Sequence, residues 1–219
     1  MQLLTDGDDS AASTLLLGHG AGAAMDSPGM NALVAPLVSR GIRIVRFEFG
    51  YMAARRDGVR RPPPRAESLA GEYRDAVAAV RDSAPIGARG HLLIGGKSMG
   101  GRVASLVADE LADVGLIAGL VCLGYPFHPP EKPEQLRTAH LLELRAPTLI
   151  CQGTRDPFGG REEVAGYGLS PAIELHWLED GDHDFRPRKA ISGRTYAENL
   201  AGAADAVAEF AARQVGRVS

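Results

Sequence analysis

Six apolar runs of strand length, with helical patterning between most of them, constrain this 219-residue chain more than any other feature. They fall at 12–18 (ASTLLLG), 42–49 (IRIVRFEF), 90–95 (GHLLIG), 116–123 (LIAGLVCL), 147–152 (PTLICQ) and 172–178 (AIELHWL). Runs such as LIAGLVCL are continuously apolar rather than alternating, the pattern of a strand covered on both faces. Strands of that kind separated by helical stretches predict an α/β fold: a mostly parallel sheet of about six strands with helices on both faces. The length suits one well-buried domain and is short for two, so residues 1–219 read as a single domain.

The helices carry their own signals. Ser27 is placed to cap a helix that has Pro28 at its first position, puts Met30, Leu33, Val34, Leu37 and Val38 on one face and ends by Gly41. A second stripe is Leu69, Tyr73, Ala76, Val77 and Val80. The last helix opens with Thr195-x-x-Glu198, a capping box, and turns Tyr196, Leu200, Ala203, Ala204, Val207 and Phe210 inward. One stretch breaks the alternation. Arg55 to Arg65 reads RRDGVRRPPPR, and its prolines lack amide donors and restrict their predecessors, so the segment is expected as a loop. Following the second predicted strand, it would lie over the carboxyl ends of the strands, where open α/β sheets bind ligands.

Composition narrows the partners. The 24 basic against 27 acidic residues give a net charge of −3, so there is no bulk attraction to nucleic acid, and 5% aromatics leave little for base stacking. The start of the chain, MQLLTDGDD, has no basic region ahead of an apolar one, and no apolar stretch reaches the roughly 18 residues of a membrane span. The expectation is therefore a cytoplasmic protein with neither nucleic-acid nor membrane partner. Cys122 and Cys151 both sit within apolar runs and are expected as buried free thiols.

The sharpest local signal is Gly96-Lys97-Ser98-Met99-Gly100, which follows the run HLLIG and precedes a helical pattern from Arg102 to Leu111. A Gly-x-Ser-x-Gly in that context is the setting of a nucleophile elbow, with the serine on a tight strand-to-helix turn beside a helix N-terminus. A serine needs a base, and the base an orienting carboxylate. Asp156 follows the run PTLICQ in Gly153-Thr154-Arg155-Asp156-Pro157, and His183 follows AIELHWL in Gly181-Asp182-His183-Asp184-Phe185. Blander readings stand beside these: Asp156 as a turn former before Pro157, and His183 as a surface-loop histidine. Phosphate-binding readings also compete. A Walker A loop ending in Gly96-Lys97-Ser98 needs glycine at position 91, where the chain has His91. Gly18-x-Gly20-x-x-Ala23 fits a relaxed dinucleotide fingerprint with Glu48 ending the next strand, but the cap at Ser27 begins the helix too late for it. Of the other histidines, His91 and His176 read as structural, and His128 and His140 as lying near a proline-rich or helical surface.

The order Ser98, Asp156, His183, with the motifs GGKSMGG, GTRDP and GDHDF, resembles the α/β-hydrolase superfamily over nearly the whole chain. Within it the chain is similar to small lidless serine hydrolases of the dienelactone-hydrolase type, and to a bacterial group related to a testis-expressed hydrolase-like protein and to a subunit of a histone-acetyltransferase complex. The departure is the nucleophile, a cysteine in dienelactone hydrolases proper and Ser98 here. The resemblance implies a minimal α/β-hydrolase fold without a lid domain, an open site, and catalytic roles for Ser98, Asp156 and His183. It implies an oxyanion hole from the amides of Ala21 and Met99, with Leu17-Gly18-His19-Gly20-Ala21-Gly22 as the loop supplying half of it. No metal and no organic cofactor is implied. The expected substrate is a small ester or thioester, and the alternative is a non-catalytic hydrolase-fold scaffold. Candidate substrate contacts are His19, which is otherwise a brace for that loop, and Arg56, Arg60 and Arg61. These three arginines would hold an anionic substrate, or else form a solvated surface loop.

Overall fold

A computed structural model describes residues 1–83 and 91–216. Its sheet has seven strands: β1 (Leu3–Asp6), β2 (Ser13–Gly18), β3 (Ile42–Phe47), β4 (His91–Lys97), β5 (Gly119–Leu123), β6 (Thr148–Gly153) and β7 (Ile173–Leu178). The order is β1-β3-β2-β4-β5-β6-β7, with β1 antiparallel to β3 and every other neighbour parallel. Six of these are the expected apolar runs with shifted ends: β4 and β6 run on to Lys97 and Gly153, and the other four are trimmed; Gly90, the start of the third run, lies outside the described residues. The seventh, β1, carries no such run. Its sequence LLTD is short, half-exposed and on the sheet edge, so burial imposed no apolar pattern on it.

The helices are α1 (Pro28–Val38), α2 (Gly50–Arg56), α3 (Ala70–Ser83), α4 (Met99–Asp113), α5 (Arg161–Val164), α6 (Lys189–Ser192) and α7 (Tyr196–Val215). The central strands bury both faces, and their successive side chains feed two cores. Leu15, Leu17, Leu93, Val121 and Leu149 pack with Met30, Leu33, Val34 and Leu37 of α1 and with Leu200, Ala203, Val207 and Phe210 of α7. Leu16, Ile94, Leu120, Cys122 and Ile150 pack with Tyr73, Val77 and Val80 of α3 and with Val103 and Val107 of α4. Cys122 and Cys151 are fully buried free thiols in opposite cores. None of the described helices is long and apolar enough to cross a membrane.

The start signals act as expected. Ser27 Oγ accepts the Met30 amide at 3.4 Å with Pro28 opening α1, and Thr195 and Glu198 cap α7 reciprocally. The arginine stretch is corrected in part. Arg55 and Arg56 form the last turn of α2, because the helix-compatible run GYMAARR precedes the break, which comes only at Asp57 and Gly58. Residues 57–65 are irregular, and a short 3-10 turn at Ala66–Leu69 leads into α3.

Candidate active site

The link between β4 and α4 is shaped by close backbone approach. A Cβ on Gly96 would stand 2.3 Å from the Gly100 carbonyl carbon, and one on Gly100 would stand 2.4 Å from Gly18 O, so neither position has room for a side chain. The turn they permit holds Ser98 at φ 52 and ψ −116, a conformation that costs a non-glycine residue on the order of 1–3 kcal/mol and is held by its surroundings. Those include the Ser98 amide donating to Leu123 O at 3.0 Å on one side and the Arg102 amide donating to Ser98 O at 3.1 Å on the other.

The carboxyl-terminal ends of two further strands, β6 and β7, bring distant residues to that serine. His183 Nε2 lies 2.8 Å from Ser98 Oγ, and His183 Nδ1 lies 2.8 Å from Asp156 Oδ2. With the imidazole neutral and Nδ1–H donating to the carboxylate, Nε2 is the acceptor for the serine hydroxyl. The Asp156 side chain is wholly buried, yet its oxygens are served: Oδ1 accepts the Phe158 amide at 2.8 Å, and Oδ2 accepts from Gln152 Nε2 at 2.9 Å. Gln152 also accepts the Tyr125 amide at 2.7 Å, so it ties the acid loop to the end of β5. The loops after β6 and β7 press together where a Cβ on Gly153 would meet Gly181 O at 2.3 Å. The Phe158 ring lies against His183, with centroids 4.2 Å apart.

Two members of the site carry no motif of their own. Gln152 is a polar residue inside the apolar β6, and that anomaly is its only signal in the sequence. Lys97, which precedes Ser98, is largely buried and donates to His183 O at 2.8 Å, with Asp184 Oδ1 at 3.5 Å. Burial pushes its pKa down, and the carboxylates of Asp184 and Asp156 oppose that shift. Lys97 thus fastens the histidine loop to the serine turn.

The loop after β2 lies across from the turn. Ala21 reaches the walls of the clefts beside Ser98 and is anchored by Tyr51 Oη, which donates to Ala21 O at 3.0 Å. Met99 is the first residue of α4, so its amide has no acceptor within the helix. His19 lies behind this loop, fully buried: Nδ1 donates to Gly20 O at 2.7 Å and Nε2 accepts the Phe49 amide at 3.2 Å. Burial pushes its pKa down and keeps it neutral, so His19 braces the loop and does not line the clefts.

The arginine candidates lie elsewhere. Arg56 is bound by both Glu48 oxygens at 2.8 Å and by Asp26 at 2.9 Å, and so is engaged with protein carboxylates. Arg60 and Arg61 are exposed and line neither cleft beside Ser98. His128, expected near the surface, is buried, with its amide donating to Phe158 O at 3.2 Å. Among the described residues no group of three or more His, Cys, Asp or Glu is placed to hold a metal ion.

Comparison with known proteins agrees with this architecture. The family model described as alpha/beta hydrolase domain matches residues 11–212. Among solved structures, a dienelactone hydrolase from Anabaena variabilis is 20% identical, over 95% of this chain and 89% of that one, with a TM-score of 0.68. An a/b serine hydrolase without lid from Xanthomonas campestris is 17% identical, over 95% of this chain and 88% of that one, with a TM-score of 0.67. The esterase domain of a Rhodothermus marinus protein is 16% identical, over 97% and 99%, with a TM-score of 0.62. At these identities the likeness is one of fold.

Proposed function

Because the chain belongs to the alpha/beta hydrolase domain family, we propose that it is a serine hydrolase that cleaves a carboxylic ester or thioester of a small substrate through an acyl-enzyme. The observation that carries this reading is the unbroken line of hydrogen bonds from Ser98 through His183 to Asp156, each 2.8 Å. Ser98 Oγ attacks the substrate carbonyl as its proton passes to His183 Nε2, and the buried Asp156 carboxylate stabilises the imidazolium that forms. The carbonyl oxygen, now carrying the negative charge, is received by the amides of Ala21 and Met99; one such donor is worth on the order of a hundredfold in rate. The C–O or C–S bond breaks, His183 returns the proton to the leaving group, and water then repeats the sequence in reverse to release the acid. All these steps use side chains and amides of this chain. The reading also takes the chain as one domain with no lid inserted between β4 and β5 or between β5 and Asp156, which leaves the serine open to small substrates.

A fluorophosphonate probe tests it. The wild type is expected to be labelled and Ser98→Ala is not, and with p-nitrophenyl esters Ser98→Ala is expected to lower kcat by about 10⁴-fold or more. A matched thioester series ranks the two bond classes. A wild type that neither labels nor turns over any ester or thioester overturns the enzyme reading and favours a hydrolase-fold scaffold.

A further inference from the structure

Ser98 stands on the shared wall of two clefts with different chemistry. One, of about 370 Å³, contains His183 and is walled mainly by apolar groups, Met30, Leu33 and Tyr196 among them, with Lys97, Asp184 and Arg186 as its charged residues; Phe158 lines both clefts. The other, of about 620 Å³, contains Met99 and is walled by Arg65, Arg102, Arg137 and Glu67. His183 borders the first and not the second. A leaving group takes its proton from His183 Nε2 and must depart beside that atom, so it belongs in the apolar cleft. The acyl chain, on the far side of the reacting carbon, is then directed into the arginine cleft.

The charge there is not balanced by the protein. Arg102 lies one turn beyond Ser98 on α4 and pairs with Glu67, while its Nε–H is buried with no hydrogen-bond partner among the described residues. Arg137 is partly buried and has no carboxylate partner among the described residues, and Arg65 is exposed at the cleft's edge. Three guanidiniums against one carboxylate leave two positive charges beside the reacting serine. Burial and the neighbouring Arg102 both push the pKa of Arg137 down, and Tyr125 and the single carboxylate Glu67, already paired with Arg102, oppose that shift without reversing it. Guanidiniums present forked donors that match the oxygens of a carboxylate or phosphate.

We propose that this second cleft is an acyl-side specificity pocket, in which Arg137 and Arg102 bind an oxyanionic terminus of the acyl chain, so that the substrates are half-esters or half-thioesters of diacids. The proposal rests on the serine-hydrolase reading. The step is unchanged in its balance: the Ser98 Oγ–carbonyl bond forms, the bond to the neutral leaving group breaks with the proton supplied by His183, and the remote anion takes no part in the chemistry.

The test measures kcat/KM for monoethyl glutarate, its neutral counterpart ethyl pentanoate, ethyl 4-phosphonobutyrate, and 3-acetoxypropionate, which places the anion on the leaving side. The expected result is a preference of about tenfold or more for an anionic acyl chain over ethyl pentanoate, with the glutarate and phosphonate arms identifying the anion, and no such gain for 3-acetoxypropionate. Arg137→Gln is expected to bring the glutarate-to-pentanoate ratio close to one, and Arg137→Lys to restore part of it. Arg60→Ala, outside both clefts, is expected to leave the ratio where it was. Raising the salt concentration is expected to shrink the preference, since part of the site is open to solvent. If ethyl pentanoate is hydrolysed as well as monoethyl glutarate, or if the preference survives in Arg137→Gln, the pocket assignment is overturned while the hydrolase reading stands. If no ester is hydrolysed and Ser98 is not labelled, both fall.

Discussion

Gly100 illustrates how a single residue carries the site. Its missing Cβ lets α4 lie against the loop after β2, where an added methyl would stand 2.4 Å from Gly18 O and 2.7 Å from His19 O. Both are main-chain oxygens at the end of a central strand and cannot swing aside as a side chain would. Gly100→Ala is therefore expected to destabilise the fold by about 1–3 kcal/mol, read as a lower urea midpoint, and to lower kcat/KM by more than that loss accounts for, because the loop bearing Ala21 must move away from Ser98. The sequence announced this glycine because Gly-x-Ser-x-Gly is a local backbone requirement. It did not announce Gln152, Lys97 or Arg137. Gln152 and Lys97 act through partners in other loops, Asp156 and His183, and Arg137 lies in irregular chain between β5 and β6, where no periodicity marks a residue.

At the level of elements, amphipathic helices and buried strands were legible because burial writes itself into residue order. The cap of α7 is one such element. Thr195 Oγ1 accepts the Glu198 amide at 3.2 Å, and Glu198 returns a bond to the Thr195 amide at 2.6 Å. Thr195→Ala removes one half of that exchange and is expected to cost about 1 kcal/mol, seen as a fall in the chemical-denaturation midpoint with kcat/KM for esters nearly unchanged, since Thr195 lines neither cleft beside Ser98. The elements that escaped were those with weak burial. β1 pairs with β3 along one edge only, and α2 has its N-cap Phe49 within what read as a strand end and its finish within what read as a basic loop. In both, the local pattern left a choice that tertiary contacts made: strand addition for β1, and the Glu48 and Asp26 carboxylates around Arg56 for α2.

For the molecule as a whole, buried polar groups couple stability to pH. His19 and His140 both have their pKa pushed down, by burial in each case. The unfolded chain binds protons at both as pH falls through the ordinary histidine value of about 6.5, while the folded protein resists, so stability rises with pH through that range and is lost on acidification. Between pH 6.5 and 5.5 the fully buried His19 is expected to contribute up to about 1 kcal/mol of that loss, and partly exposed His140 less. Urea titrations at the two pH values check this; a midpoint that does not move, or a slope unchanged in His19→Gln, would refute it. The same division between local and global information runs through the molecule. By itself the sequence determined the parallel α/β architecture, both helix caps and the order of Ser98, Asp156 and His183, because strand burial, capping and tight turns depend on residues near one another in the chain. Only the tertiary structure decided the rest: the edge strand β1, Arg56 spent on Glu48 and Asp26, His19 behind its loop, and Arg102 and Arg137 gathered beside Ser98. Charges choose partners by distance in space, and pairs such as Glu67 and Arg102, 35 positions apart, leave no periodic trace of that choice in the chain.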